Sequence, residues 1–354
     1  MIWLTLRQFR VQAAVVFGGL AVLAAALLLT GPGLQDDYDS GVAACGAAGD
    51  CSRFYRSFFI DHQYYFGGLL AVVVFLPGII GVFWGAPLIT RELEHGTHRL
   101  AWNQSITRTR WLAAKLGLVG LAAVAAAGVA VVAVDWWSDP IDETAVNATT
   151  INGIARVTPL IFAARGIAPL GYAAFAFALG VTVGVLVRRT LPAMTITLVV
   201  FAAVQILMPM FVRPHLVSPV TKTIEITADN HGDFMLDHSS GEARLQVEVD
   251  PERGAWTLTN DTVDRSGNRV SEIALPKSAG GPCDPPGPDA QGKPPTGPPQ
   301  KCFDYLKQQG FRQKVAYHPA DHFWALQRAE TGLFAVLALG LTGFCFYWTR
   351  RRLS

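Results

Sequence analysis

The side chains able to do chemistry gather in a few short stretches. The densest is Arg91-Glu92-Leu93-Glu94-His95-Gly96-Thr97-His98-Arg99, a polar, helix-prone segment holding carboxylates, imidazoles and guanidinium groups. His95 and His98 stand three apart in it, and docking contacts suit them better than a metal. His318 and His322 stand four apart beside Asp321, a spacing that on a helix turns two imidazoles toward one ion. The H-E-x-x-H pattern is incomplete, because Pro319 and Ala320 hold its second and third positions, so surface and capping roles are expected. Gly287-Pro288-Asp289-Ala290-Gln291-Gly292-Lys293-Pro294 meets the phosphate-loop spacing until Pro294 replaces the Ser or Thr that holds magnesium. No Ser-His-Asp order or Cys-His pair stands out. The expectation is a chain with no catalytic residue, no metal and no cofactor of its own.

The elements that carry these groups are set by hydropathy. Apolar runs occupy residues 13–30, 66–89, 111–134, 161–187, 191–212 and 329–349, each near or above the roughly 18 to 20 residues that a membrane helix needs. Helices are expected throughout, since no water satisfies backbone amides in hydrocarbon and the alternation of barrel strands is lacking. With 51% hydrophobic and 16% charged residues and a net charge of +2, a nucleic-acid partner is excluded. The fold class is thus an all-α membrane protein of six spans with a small β-rich extracellular domain between the fifth and the sixth.

Orientation follows from the basic residues. Arg7 and Arg10, then Arg91, Arg99, Arg108, Arg110 and Lys115, then Arg188 and Arg189, then Arg350 to Arg352 all fall on one side, which places both termini in the cytoplasm. Residues 1–12 read as an amphipathic interfacial helix, with Ile2, Leu6 and Phe9 on one face and Arg7 and Arg10 toward lipid phosphates. Residues 31–65 and 135–160 become extracellular loops, the first with a short helix, 90–110 a cytoplasmic loop, and 350–354 a basic cytoplasmic tail.

Four of the five cysteines fall in the outward segments, where an oxidising compartment lets them pair. Among three connectivities, Cys45 with Cys51 and Cys283 with Cys302 is preferred, since each closes a Gly- or Pro-rich loop. The outward segment 213–328 alternates like strands over Thr221 to Thr227, Ala243 to Val249 and Ala255 to Thr259, suggesting a small antiparallel sheet. Residues 278–300 are dense in Pro and Gly and read as an exposed excursion. Within the spans, Ala176, Gly180 and Gly184 recur at four-residue intervals, a packing face. The second and fifth spans are the irregular ones. Phe75, Pro77, Thr195, Thr197, Gln205 and Met208 are therefore the candidates for lining a translocation path.

The stretch from Gly85 through Arg91-Glu92-Leu93-Glu94-His95-Gly96-Thr97 to Ser105, continuing over Thr107-Arg108 and Trp111 to Lys115-Leu116, resembles the loop of permease subunits in the type-2 exporter class of ATP-binding-cassette transporters. Those families carry a Glu-x-Glu-x-Gly-Thr core, here Glu92, Glu94, Gly96 and Thr97, with a Lys at the head of the third span, here Lys115. The start Trp3 to Arg10, the run Tyr317 to Trp324 and the basic tail are similar to permeases common in actinobacteria. The resemblance implies a half-transporter in the bacterial plasma membrane that pairs with a second permease copy and with two ATPase subunits, which bind the ATP and magnesium. Arg91, Glu92, Glu94, His95, Gly96, Thr97 and Arg99 would form the coupling helix against the ATPase, and an amphipathic drug, antibiotic or lipid would be exported. A sensor or resistance module of the same architecture, without net transport, is the alternative.

Overall fold

Six helices long and apolar enough to cross a membrane dominate the computed structural model, which describes residues 2–48, 51–96, 107–147, 155–237, 243–276, 281–284 and 298–352. The chain divides into two units, Met1–Val217 with Phe323–Ser354, and Ser218–His322.

In the first unit the helices overrun the apolar stretches that nucleate them. Helix α1 (Ile2–Ala48) has 47 residues, roughly 70 Å at 1.5 Å per residue against about 30 Å of hydrocarbon. It absorbs the separate interfacial helix expected over 1–12 and half of the loop expected over 31–65; α2 (Ser52–Ile80) takes up the remainder. Gly31-Pro32-Gly33 does not end α1, because tertiary packing outweighs the local helix-breaking tendency. The Trp136 ring lies on Gly31, Trp137 Nε1 donates to Thr30 Oγ1 at 3.0 Å, and the buried stripe Leu27, Leu34 and Tyr38 continues onto Phe54 and Phe58. A disulfide joins Cys45 of α1 to Cys51, the residue before α2.

Helix α3 (Ala86–Glu94) follows α2 across a π-helical turn, Gly81–Gly85. Helix α4 (Arg108–Asn147) runs past the end expected for the third span and leads to the short α5 (Pro159–Phe162) and then α6 (Ala168–Val187). With 16 of its 20 residues buried, α6 is the axis of the unit, as expected of a helix apolar all round. Its small residues are the reason: a Cβ on Gly180 would fall 2.3 Å from the Gly81 oxygen, and one on Gly184 2.7 Å from that of Ala86. Helix α7 (Thr190–Leu207) passes through a second π turn, Met208–Val212, into α8 (Arg213–Leu216), so the first unit includes residues 213–217 that were expected in the outer domain.

The second unit holds two antiparallel three-stranded sheets. Strands β1 (Val220–Glu225), β6 (Arg312–His318) and β4 (Trp256–Val263) form one in that order, and β2 (His231–Asp237), β3 (Arg244–Val249) and β5 (Ile273–Ala274) the other. The strict alternation of β3 turns Leu245, Val247 and Val249 inward, onto Cys302, Phe303 and Leu306 of α9 (Gln300–Gln309). A disulfide joins Cys283 to Cys302. Buried Gln313 donates to Val247 O and, at 2.8 Å, to Thr262 Oγ1, joining the two sheets. Tyr317 and His318, in the outward segment expected over 213–328, close β6, and the last span is α10 (Phe323–Arg352), which begins ahead of the expected residue 329. The β-rich region thus lies between the fifth and sixth spans.

Candidate functional site

Arg91 to Glu94 of the polar segment form the C-terminal end of α3. The two glycines of the π turn let the backbone lie directly on α6, where a Cβ would come within 2.7 Å of Ala176 O from Gly81 and 2.6 Å of Phe177 O from Gly85. Pro87 at the N-terminal end of α3 fits its tolerance for a missing amide donor. Ala86, Ile89 and Thr90 are buried, whereas Arg91, Glu94 and His95 are exposed. His95 ends the helix and Gly96, at φ 71°, turns the chain in the left-handed region that favours glycine. Thr97, Arg99 and the phosphate-loop-like run 287–294 lie outside the described residues.

Both glutamates of the segment bond within the chain. Glu92 Oε1 accepts from Lys115 Nζ of α4 at 2.5 Å, with the two side chains 16% and 4% exposed. Lys115 also donates to Leu88 O, and Gln8 of α1 donates to the same Glu92 oxygen at 3.3 Å. Glu94 Oε2 accepts from the Thr190 amide at 3.1 Å and its hydroxyl at 2.7 Å. A carboxylate there satisfies an orphan amide at the N-terminus of α7 and meets the positive end of its dipole. A cavity of about 220 Å³ opens beside this cluster, lined by Gln8, Gln12, Arg91, Glu92 and Lys115. Residues from α1, α3, α4 and α7 thus converge on one polar end of the unit.

The six path candidates are not gathered into one lining. Phe75 and Thr195 are exposed, Gln205 is half-buried, and Pro77, Thr197 and Met208 are buried. Each threonine donates into its own helix, Thr195 to Leu191 O and Thr197 to Ala193 O. Helices α2 and α7 do lie side by side: a Cβ on Gly78 would stand 3.2 Å from the Phe201 ring.

Sequence reasoning missed the polar groups at the other end of the unit. Buried Arg213 donates to both oxygens of Glu330 at 2.7 and 2.9 Å, to Pro159 O and to Tyr172 Oη, while Tyr172 donates to Glu330 at 2.5 Å. Arg165 donates to Asp135 at 3.1 Å and Asp142 at 3.3 Å, and Arg156 to Asp139 at 2.8 Å and Asp142 at 3.0 Å. Between α5 and α6 the fourth span is interrupted, and Gln327 of α10 fills the break. Its amide nitrogen donates to Phe162 O and Arg165 O, and its oxygen accepts from the Ile167 and Ala168 amides. The available signal was charge adjoining apolar runs, at Arg165, Arg213 and Glu330.

In the second unit, His318 Nδ1 lies 3.3 Å from His322 Nδ1, and the buried His318 ring packs on Trp256. Among the described residues no three His, Cys, Asp or Glu side chains are placed to share a metal ion.

Comparison with known proteins places this geometry. The family described as ABC-2 membrane transporter related matches over residues 17–213, which takes in most of α1, all of α2 through α7, and the Glu92–Lys115 and Glu94–Thr190 contacts. Searches of curated proteins and of solved structures return no match. The match covers more than half of the chain, so this multi-pass membrane protein belongs to the ABC-2 membrane transporter related family and is a permease component of an ABC transporter.

Proposed function

We propose that the protein exports an amphipathic or hydrophobic compound, a drug, antibiotic or lipid, across a bacterial plasma membrane, driven by an ATPase that docks on α3. Both termini and α3 face the cytoplasm in this reading, and the disulfide-bearing β unit faces outward, in keeping with the basic residues and with where disulfides persist. The observation that carries it is the tethering of α3. This short helix, exposed at Arg91 and Glu94, continues α2 through a π turn and is bonded to α4 through Glu92–Lys115 and to α7 through Glu94–Thr190. A push on α3 therefore reaches the second, third and fifth spans with no chemistry in this chain.

Two copies of the permease pair with two ATPase subunits. The outer faces of α2 and the π turn, at Val72, Phe75, Ile79 and Phe83, and of α7, at Leu198, Val199 and Ile206, are apolar and exposed. They adjoin where Gly78 meets Phe201, so a second copy seated there would put Phe75, Thr195 and Gln205 near the seam that cargo follows.

Arg91 and His95 are the docking contacts and Glu94 the transmitter. Arg91→Glu with His95→Ala should abolish co-purification of the ATPase, since each charge-assisted bond contributes about 1.5 to 3 kcal/mol. Glu94→Gln should leave assembly and hydrolysis in place while lowering flux into inverted vesicles. Undiminished assembly in the first variant sinks the docking assignment, and an absence of flux in the wild-type complex favours a sensor.

A further inference from the structure

The charged cluster at the end of the first unit remote from α3 borders a cavity of about 340 Å³, open to one side and lined by Asp135, Asp139, Arg165, Trp136, Phe323 and Trp324. Its polar groups are unevenly committed. Asp142 uses both oxygens on Arg156 and Arg165, and Asp135 uses both on Arg165 and the Gly166 amide. Asp139 accepts one bond, from Arg156 to Oδ1; among the described residues no donor reaches its Oδ2, and the side chain is 60% exposed. Three carboxylates against two guanidinium groups leave one negative charge. The Nε–H of Arg165, whose side chain is 2% exposed, is buried and has no acceptor. Trp136 and Trp324 are about half exposed, with ring faces suited to a poorly hydrated cation.

We propose that this cavity is a binding site for an organic monocation, a quaternary or protonated amine with an apolar body. The ammonium neutralises Asp139 between the aromatic walls. The opposite charge choice is disfavoured, because an anion would meet the exposed carboxylate of Asp139 first. As the subsite of a cargo, it rests on the export reading; as a binding site, it does not.

The test uses the full chain in nanodiscs without the ATPase, titrated by calorimetry with butyrylcholine and with 3,3-dimethylbutyl butyrate, which has the same shape and ester but no charge. Butyrylcholine should bind at least about tenfold more tightly, the factor expected of a desolvated cation–π and charge contact. Asp139→Asn and Trp324→Leu should each lose most of that preference, Asp139→Glu should restore it, and Asp37→Asn on exposed α1 should leave it unchanged. Equal binding of the two esters, or a preference that survives Asp139→Asn, overturns the proposal. Hydrolysis by the assembled complex that stays flat when the site is filled removes its role as a cargo subsite, while docking on α3 is judged separately by the Arg91 and Glu94 variants.

Discussion

Arg213 and Glu330 face each other with both side chains almost wholly buried, so each is tolerable only in the presence of the other. Glu330→Leu strands a guanidinium and should destabilise the folded protein by about 3 to 5 kcal/mol, the usual result of breaking a buried pair. Replacing both, as Arg213→Met with Glu330→Leu, should recover most of this, because the pair's attraction mainly offsets its desolvation. Thermal unfolding of the two variants in nanodiscs decides the matter, and a double variant as unstable as the single one would refute the argument. The Lys115–Glu92 pair is of the same kind but sits on the lever between α3 and α4. Lys115→Met should therefore reduce transport per ATP hydrolysed more than it reduces stability, measured as flux against hydrolysis in one preparation.

At the scale of elements, close backbone approach governs the packing. Gly180→Ala places a Cβ against the backbone of the Gly81–Gly85 turn, which cannot yield as a flexible side chain would. A loss of about 1 to 3 kcal/mol is expected from such overpacking, together with weaker coupling, since the turn carries α3. Gly128→Ala meets nothing within 4 Å and should raise stability slightly through helix propensity. Comparable melting of the two variants would show that the α6 glycines are not seats for the turn. These packing faces also mark how far the sequence could be read. Six spans were legible because apolar runs leave helices as the only solution in hydrocarbon, and β3 was legible from its alternation. The continuation of α1 past Gly31-Pro32-Gly33 was not, because Trp136 and Trp137, about a hundred residues on, hold it there. Likewise Glu92, Glu94 and Lys115 were recognisable as a motif, yet their partners depend on how α3 lies against α4 and α7. Strand β6 lies in the outward segment but outside the three runs read as strands.

For the whole molecule, the two units differ in what holds them. The helical unit rests on a continuous apolar core, whereas the β unit has a small one that includes the Cys283–Cys302 bridge. Closing 19 residues contributes about 3 kcal/mol in the chain-entropy model. Cys302→Ser should accordingly speed amide exchange in β3 and α9 while leaving α6 protected. Uniform loosening of both units would contradict their independence. If two copies pair through the α2 and α7 faces, single cysteines at Ile206 or Phe83 should cross-link chain to chain, and one at Leu29 of α1 should not.

Gln327 has a mechanical consequence. Its side chain uses both donors and both acceptor sites across the break between α5 and α6, so it replaces a missing helical turn with a rivet from another span. Sliding α10 along α6 would sever all four bonds at once in a region poor in water, whereas the bonds from α3 reach α4 and α7 instead. Under the proposed docking of an ATPase on α3, α6 and α10 stay one piece, and a push on α3 reaches α4 and α7 without parting them.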